Sequence, residues 1–390
     1  MTKFSNNRDQ GLMDFEFTEE QRLLRESLDR LLGDGYSFDK RNAFLAEPEG
    51  FSRAMWGQYA ELGLLGLPFS EEHGGFGGGG VEIMVVMEAL GRVLALEPYL
   101  TTVVLAGTAI GHAGSAEQNA AIVPQIIDGS LRLAVAHGER QARYDLADVM
   151  TTATKTADGW RLDGAKSVVV HGDSADKLIV SARVSGDRHD PDGIGLFLVD
   201  ARAAGVARRA YPMRDGTRAA DIAFSGVEVS TADVLGAPGH GLATIERVTE
   251  AGIMATSAEA VGAMETMLAM TLEYMKTRVQ FGKPIGENQA LQHRATEMMM
   301  SLEQGRSLAM LAAVMIDDAD IEQRAHDLST AKVGVGQAAR FVSQNAVQLH
   351  GGIGMTDEYA VGHYFRRVMV IEHSFGDTSY HLSKLAAAID

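Results

Sequence analysis

The chain has 390 residues, 46% of them hydrophobic, which is more than one ordinary core holds and points to two or three packed subdomains. A formal net charge of −17 sets the surface against phosphate backbones and anionic lipid, so nucleic-acid and membrane partners are not expected. The lack of cysteine excludes disulfides, thiolate nucleophiles and thiolate metal sites together. The start, "MTKFSNNRDQGLMDFEF", has no apolar core of the signal-peptide kind, and no run reaches the roughly 18 apolar residues of a membrane span. The reading is a soluble cytoplasmic protein without membrane insertion.

Thr18 and Gln21 form a capping-box pattern before a helix whose apolar stripe is Leu24, Leu28, Leu31 and Leu32, and Gly33 and Gly35 end it. Helical periodicity continues over about 51–65, 81–96, 99–114 and 116–128. The stretch "HGGFGGGG" (73–80) has no strand before it and no Lys-Ser/Thr after it, so it reads as a connector, not a phosphate cradle. From about 131 the period shortens. "LRLAVA", "VMTTATKT", "WRLDG", "KSVVVHG", "DKLIVSARV", "GIGLFLVDA" and "DIAFSGVEV" read as strands. Turn signals separate them at Asp158-Gly159, Asp163-Gly164, Pro191-Asp192-Gly193 and Asp215-Gly216. This predicts a compact antiparallel barrel or sandwich. Long helices follow over about 241–278, 287–317, 321–349 and 379–389, and Met298-Met299-Met300 reads as core filler. The expected class is multi-domain α+β: a helical domain (1–130), a middle β domain (131–235) and a helical bundle (236–390).

Two C-terminal stretches are more specific. "TRVQFGKPIGENQALQH" (277–293) sets Arg278 at a helix end, turns through Gly282 and Pro284, and opens the next helix at Gln289. "AVQLHGGIGMTDEYAVGHYFRR" (346–367) ends a helix at Gln348 and follows it with Gly351, Gly352 and Gly354, where a backbone can approach a ligand and present N–H groups. With "GLPFSEEHGGFGG" near the N-terminus and the helix–β–helix order, the chain resembles the acyl-CoA dehydrogenase family over nearly its whole length.

That resemblance implies an N-terminal helical domain, a middle β domain, a C-terminal four-helix bundle and FAD as cofactor. It implies α,β-dehydrogenation of an acyl-CoA thioester, as in fatty-acid or steroid side-chain β-oxidation. A carboxylate removes the α-proton, the flavin takes the β-hydride, and the thioester carbonyl is polarised by hydrogen bonds. Electron-transfer flavoprotein is the implied acceptor. Each flavin in this family lies between two subunits, so an oligomer is implied. Carried over residue by residue, Arg278 pairs with the pyrophosphate as a charged fork and Phe281 packs on the adenosine side. Gln348, Gly351 and Gly352 meet the cofactor from the other helix, and Gln280, Gln289 and Thr378 are further expected contacts. Without the resemblance, Arg278 is a helix-end cation on terminal carbonyls, Phe281 is a core residue and His293 lies on a helix face.

The flavin-ring side departs from the family pattern. Where the family reads Thr-Glu-Pro-Gly, this chain has Gly138-Glu139-Arg140. Where it reads Gly-x-Lys-x-Trp-Ile-Thr-Asn-Gly, Gly164, Lys166 and Gly172 match, but Val168 replaces Trp and Val170 replaces Thr. The catalytic motif Tyr-Glu-Gly-Thr is also lost. Before Thr378 stand Phe375, Gly376 and Asp377, so either Gly376 or Phe375 takes the Glu position. A second family position for the base falls near Gly252, and Glu250 lies about 200° round the helix from it.

Asp377 therefore has three readings: an N-cap of the last helix, a displaced base, or a ligand contact without catalysis. Glu250 is either a second candidate base or a solvated helix carboxylate. The favoured expectation is one subunit of a heteromer, with an incomplete site of its own. The small subunits of bacterial pimeloyl-CoA and steroid side-chain types look similar, including a Phe-Gly-Asp near the end. The alternatives are a homo-oligomeric dehydrogenase using Asp377 or Glu250, a flavin monooxygenase of the same fold, and a scaffold subunit without cofactor contact.

Overall fold

The computed structural model describes residues 17–388. Helices α1 (Glu19–Gly35), α2 (Phe38–Leu45), α3 (Arg53–Glu61) and α4 (Gly80–Val93) come first. A π-helical stretch, Leu100–Ala106, then runs into α5 (Gly107–Ala113), and α6 (Ala116–Ile127) follows. The capping box expected at Thr18 forms with Gln21, and Ser37, Ser52 and Ser115 accept a backbone N–H at the starts of α2, α3 and α6. These caps satisfy N–H groups that a helix start leaves without partners. The glycine-rich stretch 73–80 is a packed connector. A Cβ on Gly75 would strike the Phe69 carbonyl, and one on Gly80 would strike the Ala313 carbonyl.

Eight strands then build one sheet: β1 (Leu133–Ala136), β2 (Thr152–Lys155), β3 (Gly159–Val170), β4 (Lys177–Arg183), β5 (Ile194–Asp200), β6 (Val206–Pro212), β7 (Arg218–Ser230) and β8 (Val234–Leu235). The order is β6-β7-β3-β2-β4-β5-β8, with β1 beside β4. Most pairings are antiparallel as expected, but β1 and β2 each pair with β4 in parallel. Asp163-Gly164 is not a turn. It lies inside β3, where the register with β7 shifts and Gly164 takes φ +149° close against Thr151. A second shift between Lys166 and Val169 puts Val168 at φ +54°, an outlier for a β-branched residue.

Helix α7 (Leu242–Thr277) opens the C-terminal part. A short hairpin of β9 (Val279–Gln280) and β10 (Lys283–Pro284) leads to α8 (Gln289–Met315) and α9 (Ile321–His350). A 3₁₀ turn at Gly351–Met355 precedes α10 (Val361–His373) and α11 (Thr378–Ala387). Along α7 one buried residue follows another, because α4 packs on one side and the other bundle helices on the rest. Gly262 lets α7 approach the Glu88 carbonyl, and Gly91 lets α4 approach that of Glu259. Met298 is core filler as expected, whereas Met299 and Met300 are exposed. One buried ionic cluster ties the three parts together. Arg367 of α10 lies 2.7 Å from Asp215 and 2.6 Å from Glu259, while Arg41 of α2 donates to the carbonyls of Leu94 and Asp215.

Candidate active site

A cavity of about 1450 Å3 opens where the three parts meet. Its walls come from the π-helical stretch (Leu100, Leu105), the end of β1 and the loop after it, the end of β3, the start of α7, the start of α9, and residues around Phe375 and Tyr380. A pocket for one small ligand measures roughly 300–1000 Å3, so this space can take more than one group.

The two sequence positions where a base is expected meet at this wall. A Cβ on Gly252 would lie 2.5–2.7 Å from three ring atoms of Phe375. The phenyl ring thus packs directly on the glycine, with Phe375 at φ +58°, and no carboxylate stands at either position. Asp377 is the N-cap of α11: its Oδ1 accepts the Tyr380 N–H at 2.8 Å, and it is not part of the cavity lining. Thr378 is the first residue of α11. Its N–H donates to Glu372 and its hydroxyl is buried beside Gly336, away from the cavity.

Glu250 does line the cavity. Its carboxylate is engaged by Arg324 at 2.7 Å and Arg247 at 3.5 Å. Glu246, one turn earlier on the same face, forms no ion pair among the described residues, and burial together with the Glu250 charge raises its pKa. The i, i+4 spacing of these two glutamates was visible in the sequence, but not that both turn toward a cavity.

On the sheet side, Gly138, Val168 and Val170 line the wall, and Val168 is 54% exposed. Glu139 turns inward. Its carboxylate meets Lys166 Nζ at 2.7 Å and accepts the N–H groups of Met150 and Thr151. Burial alone would raise the Glu139 carboxyl, but the charge and hydrogen bond of Lys166 outweigh it and bring the pKa to about 2.

The remaining candidate residues sit elsewhere. Arg278 follows α7 with an exposed side chain, and Phe281, at φ +55°, is fully exposed at the tip of the β9–β10 hairpin. Gln280 and Gln289 are exposed on the same segment. Gln348 is exposed on the last turn of α9, and an added Cβ on Gly351 or Gly352 would meet nothing within 4 Å. The two segments are joined by rings that the sequence gave no reason to pair. Buried His350 packs on Tyr274 at 4.6 Å, one turn before Arg278, and on Tyr359 at 5.1 Å. None of Arg278, Gln280, Phe281, Gln289, Gln348, Gly351 and Gly352 lines the cavity of this chain.

These two regions answer differently to the flavin that the resemblance implies. The Arg278–Phe281 hairpin and the Gly351–Gly352 turn fit an anionic, aromatic ligand lying on the outside of the chain: an exposed guanidinium, an exposed ring and open backbone. The ring-side wall departs from the family, because Gly138, Val168 and Val170 bring no polar side chain at three of its positions, while His137, Arg140 and Ser167 line it beside them.

Comparison with known proteins agrees with this architecture. Sequence profiles of the acyl-CoA dehydrogenase N-terminal, middle and C-terminal domains match residues 18–130, 134–229 and 239–389. A probable acyl-CoA dehydrogenase of Bacillus subtilis, YngJ, is 26% identical over 96% of this chain and 99% of its own. A variant of the steroid ACAD Tcur3481-Tcur3483 is 31% identical with a TM-score of 0.85, covering 95% of this chain and 98% of that one. The ChsE4-ChsE5 complex from Mycobacterium tuberculosis contains a chain 27% identical, TM-score 0.85, with 97% and 99% covered. Among the described residues no helix is long and apolar enough to cross a membrane, and no acidic or histidine cluster could hold a metal ion. Profiles, relatives and fold together establish that the chain belongs to the acyl-CoA dehydrogenase family, the FAD-dependent oxidoreductases that act on CH–CH groups.

Proposed function

We propose that this chain is one of two homologous subunits of a heteromeric FAD-dependent acyl-CoA dehydrogenase. It gives Arg278, Phe281 and the Gly351–Gly352 turn to a flavin whose ring rests on the partner, and the partner supplies the catalytic carboxylate. The observation that carries the reading is the Phe375 ring seated on Gly252, which leaves a hydrocarbon contact where the reaction needs a base. Two further facts support it. The cofactor-facing half that points outward is intact in sequence and accessible, and one structural relative is described as a ChsE4-ChsE5 complex.

FAD supplies the hydride acceptor. The work of this chain is to bind and orient: Arg278 would hold the pyrophosphate as a charged fork, Phe281 would cover the adenosine side, Gln280 would donate from the hairpin, and Gln289 and Gln348 from the flanking helix ends. Thr378 stays within the chain and makes no such contact. Asp377 remains a cap and Glu250 remains paired with its two arginines. The acyl-CoA is oxidised in the partner's cavity, and the electrons leave to an electron-transfer flavoprotein.

The test is an Arg278→Ala variant of this chain, co-purified with a homologue that retains Tyr-Glu-Gly-Thr. The reading predicts at least a tenfold weaker flavin affinity of the mixed assembly, about 1.4 kcal/mol or more, with the native mass unchanged. Unaltered flavin affinity would refute the assignment of Arg278.

A further inference from the structure

Beside Glu139 and Lys166, which match the family motifs, the ring-side wall holds His137 and Ser181, which neither the motifs nor the dehydrogenase reaction accounts for. Lys166 Nζ lies 2.7 Å from Glu139 Oε1, 3.1 Å from the His137 carbonyl and 3.0 Å from Ser181 Oγ. Ser181 Oγ in turn lies 2.9 Å from His137 Nδ1. An ammonium only donates, so all three of its protons are used and Ser181 Oγ is an acceptor toward it. A hydroxyl could accept twice, but Ser181 is buried and its Oγ has no other acceptor among the described residues, so its proton goes to His137 and Nδ1 accepts it. A neutral imidazole whose Nδ1 accepts carries its proton on Nε2. Burial, reinforced by the Lys166 charge, lowers the His137 imidazole to about 3, so the ring is neutral at any working pH.

Nε2 has no protein partner among the described residues, and His137 lines the cavity. The cavity that it lines is mostly apolar, with Leu100, Leu105, Val135, Val168 and Val170 contributed by the π-helical stretch, β1 and β3, although Thr101 and Ser167 line it too. An N–H fixed in direction and facing a mostly apolar cavity is the usual build of a recognition point for a single acceptor atom. We propose that His137 Nε2–H is a ligand-recognising donor in this chain's own cavity, held in its tautomer by Lys166 and Ser181, and that its acceptor is a carbonyl oxygen on a ligand with an apolar body. This site belongs to the cavity itself and does not depend on a partner completing a flavin site.

Two ligands present such a carbonyl, an acyl thioester and a flavin ring, and the test separates them. The full chain is titrated with decanoyl-CoA, with S-decyl-CoA (the thioether lacking only the carbonyl) and with FAD, by calorimetry. If the chain is soluble only with a homologue, the same comparison is made on the assembly, and only the part that His137 controls is read. One neutral hydrogen bond predicts that the wild type prefers thioester over thioether about three- to tenfold. His137→Phe should bring that ratio to about one and leave the thioether affinity unchanged, and Ser181→Ala, which frees the tautomer, should lower it part-way. A loss confined to FAD in both variants keeps the donor and assigns its acceptor to the ring. Should His137→Phe fold poorly, Ser181→Ala carries the comparison. A ratio that neither variant alters, with FAD affinity also unaltered, overturns the proposal, as does failure of all three ligands to bind the wild type.

Discussion

Replacing Asp377 by asparagine and by alanine separates capping from catalysis. The carboxylate accepts the Tyr380 N–H at 2.8 Å, across the first turn of α11. Asparagine caps as well as aspartate, so Asp377→Asn removes only the favourable charge at the helix start, about 0.3–1 kcal/mol. Asp377→Ala removes the cap as well, a further ~1 kcal/mol. Unfolding entropy of about 2.1 cal/mol/K per residue over 390 residues makes these changes small in temperature. The asparagine variant should melt within about 1 °C of the wild type and the alanine variant about 2 °C below it. The assay pairs calorimetric melting with turnover of the flavin-loaded assembly on an artificial electron acceptor. Turnover should be unchanged in both variants. A stably folded Asp377→Asn protein that has lost turnover by about 100-fold or more would refute the reasoning, since only a proton-transfer role depends on the acid and not on the cap.

Other consequences follow from the packing around the site. Gly252→Ala drives a methyl into the Phe375 ring and should cost about 1–3 kcal/mol in urea unfolding, and adding Phe375→Leu should recover at least ~0.5 kcal/mol of it. Lys166→Met leaves Glu139 buried without its cation and should cost about 3–5 kcal/mol, measured in the same way. The Glu139 pKa, near 2 in the folded chain, lies below its ordinary value of 4.5, so its stabilisation is complete above that value and is lost as pH falls through 2. Asp148 and Asp221, also lowered to about 2, add in the same direction, and burial holds His137 at about 3 and His171 and His381 at about 4, so the unfolded chain takes up their protons first; an acid titration followed by circular dichroism should show stability declining from about pH 6.5 and further below about pH 4.5. Phe281→Ser should leave the melting of the isolated chain unchanged, because the ring is fully exposed there, yet weaken association with a flavin-bearing homologue by sedimentation.

Much of this was legible in the chain's own chemistry, and the remainder was hidden for physical reasons. The capping box at Thr18 and the apolar stripe behind it depend on residues three and four apart, which a linear pattern preserves. The long bundle helices were readable for the same reason. Asp163-Gly164 has the composition of a turn, but the same left-handed permissiveness of glycine serves a bulge within a long strand, and neighbouring strands decide between them. Helix α10 gives no start signal in the sequence, because Ala360 stands at its N-cap and makes no side-chain cap bond. The site divides in the same way. Cap geometry at Asp377 is local and readable. The Phe375–Gly252 contact, the Tyr274–His350–Tyr359 stack and the Lys166–Ser181–His137 chain each join residues far apart in sequence, so only the fold brings them together.

The most direct measurement is flavin stoichiometry. The chain is purified alone and with a co-expressed homologue that carries Tyr-Glu-Gly-Thr, and flavin absorbance is read against native mass. The account predicts no stoichiometric flavin on the chain alone and one flavin per pair of chains in the mixed assembly. One tightly bound FAD per chain in the homogeneous protein would contradict it, and would return Glu246 and Glu250 as the carboxylates to test.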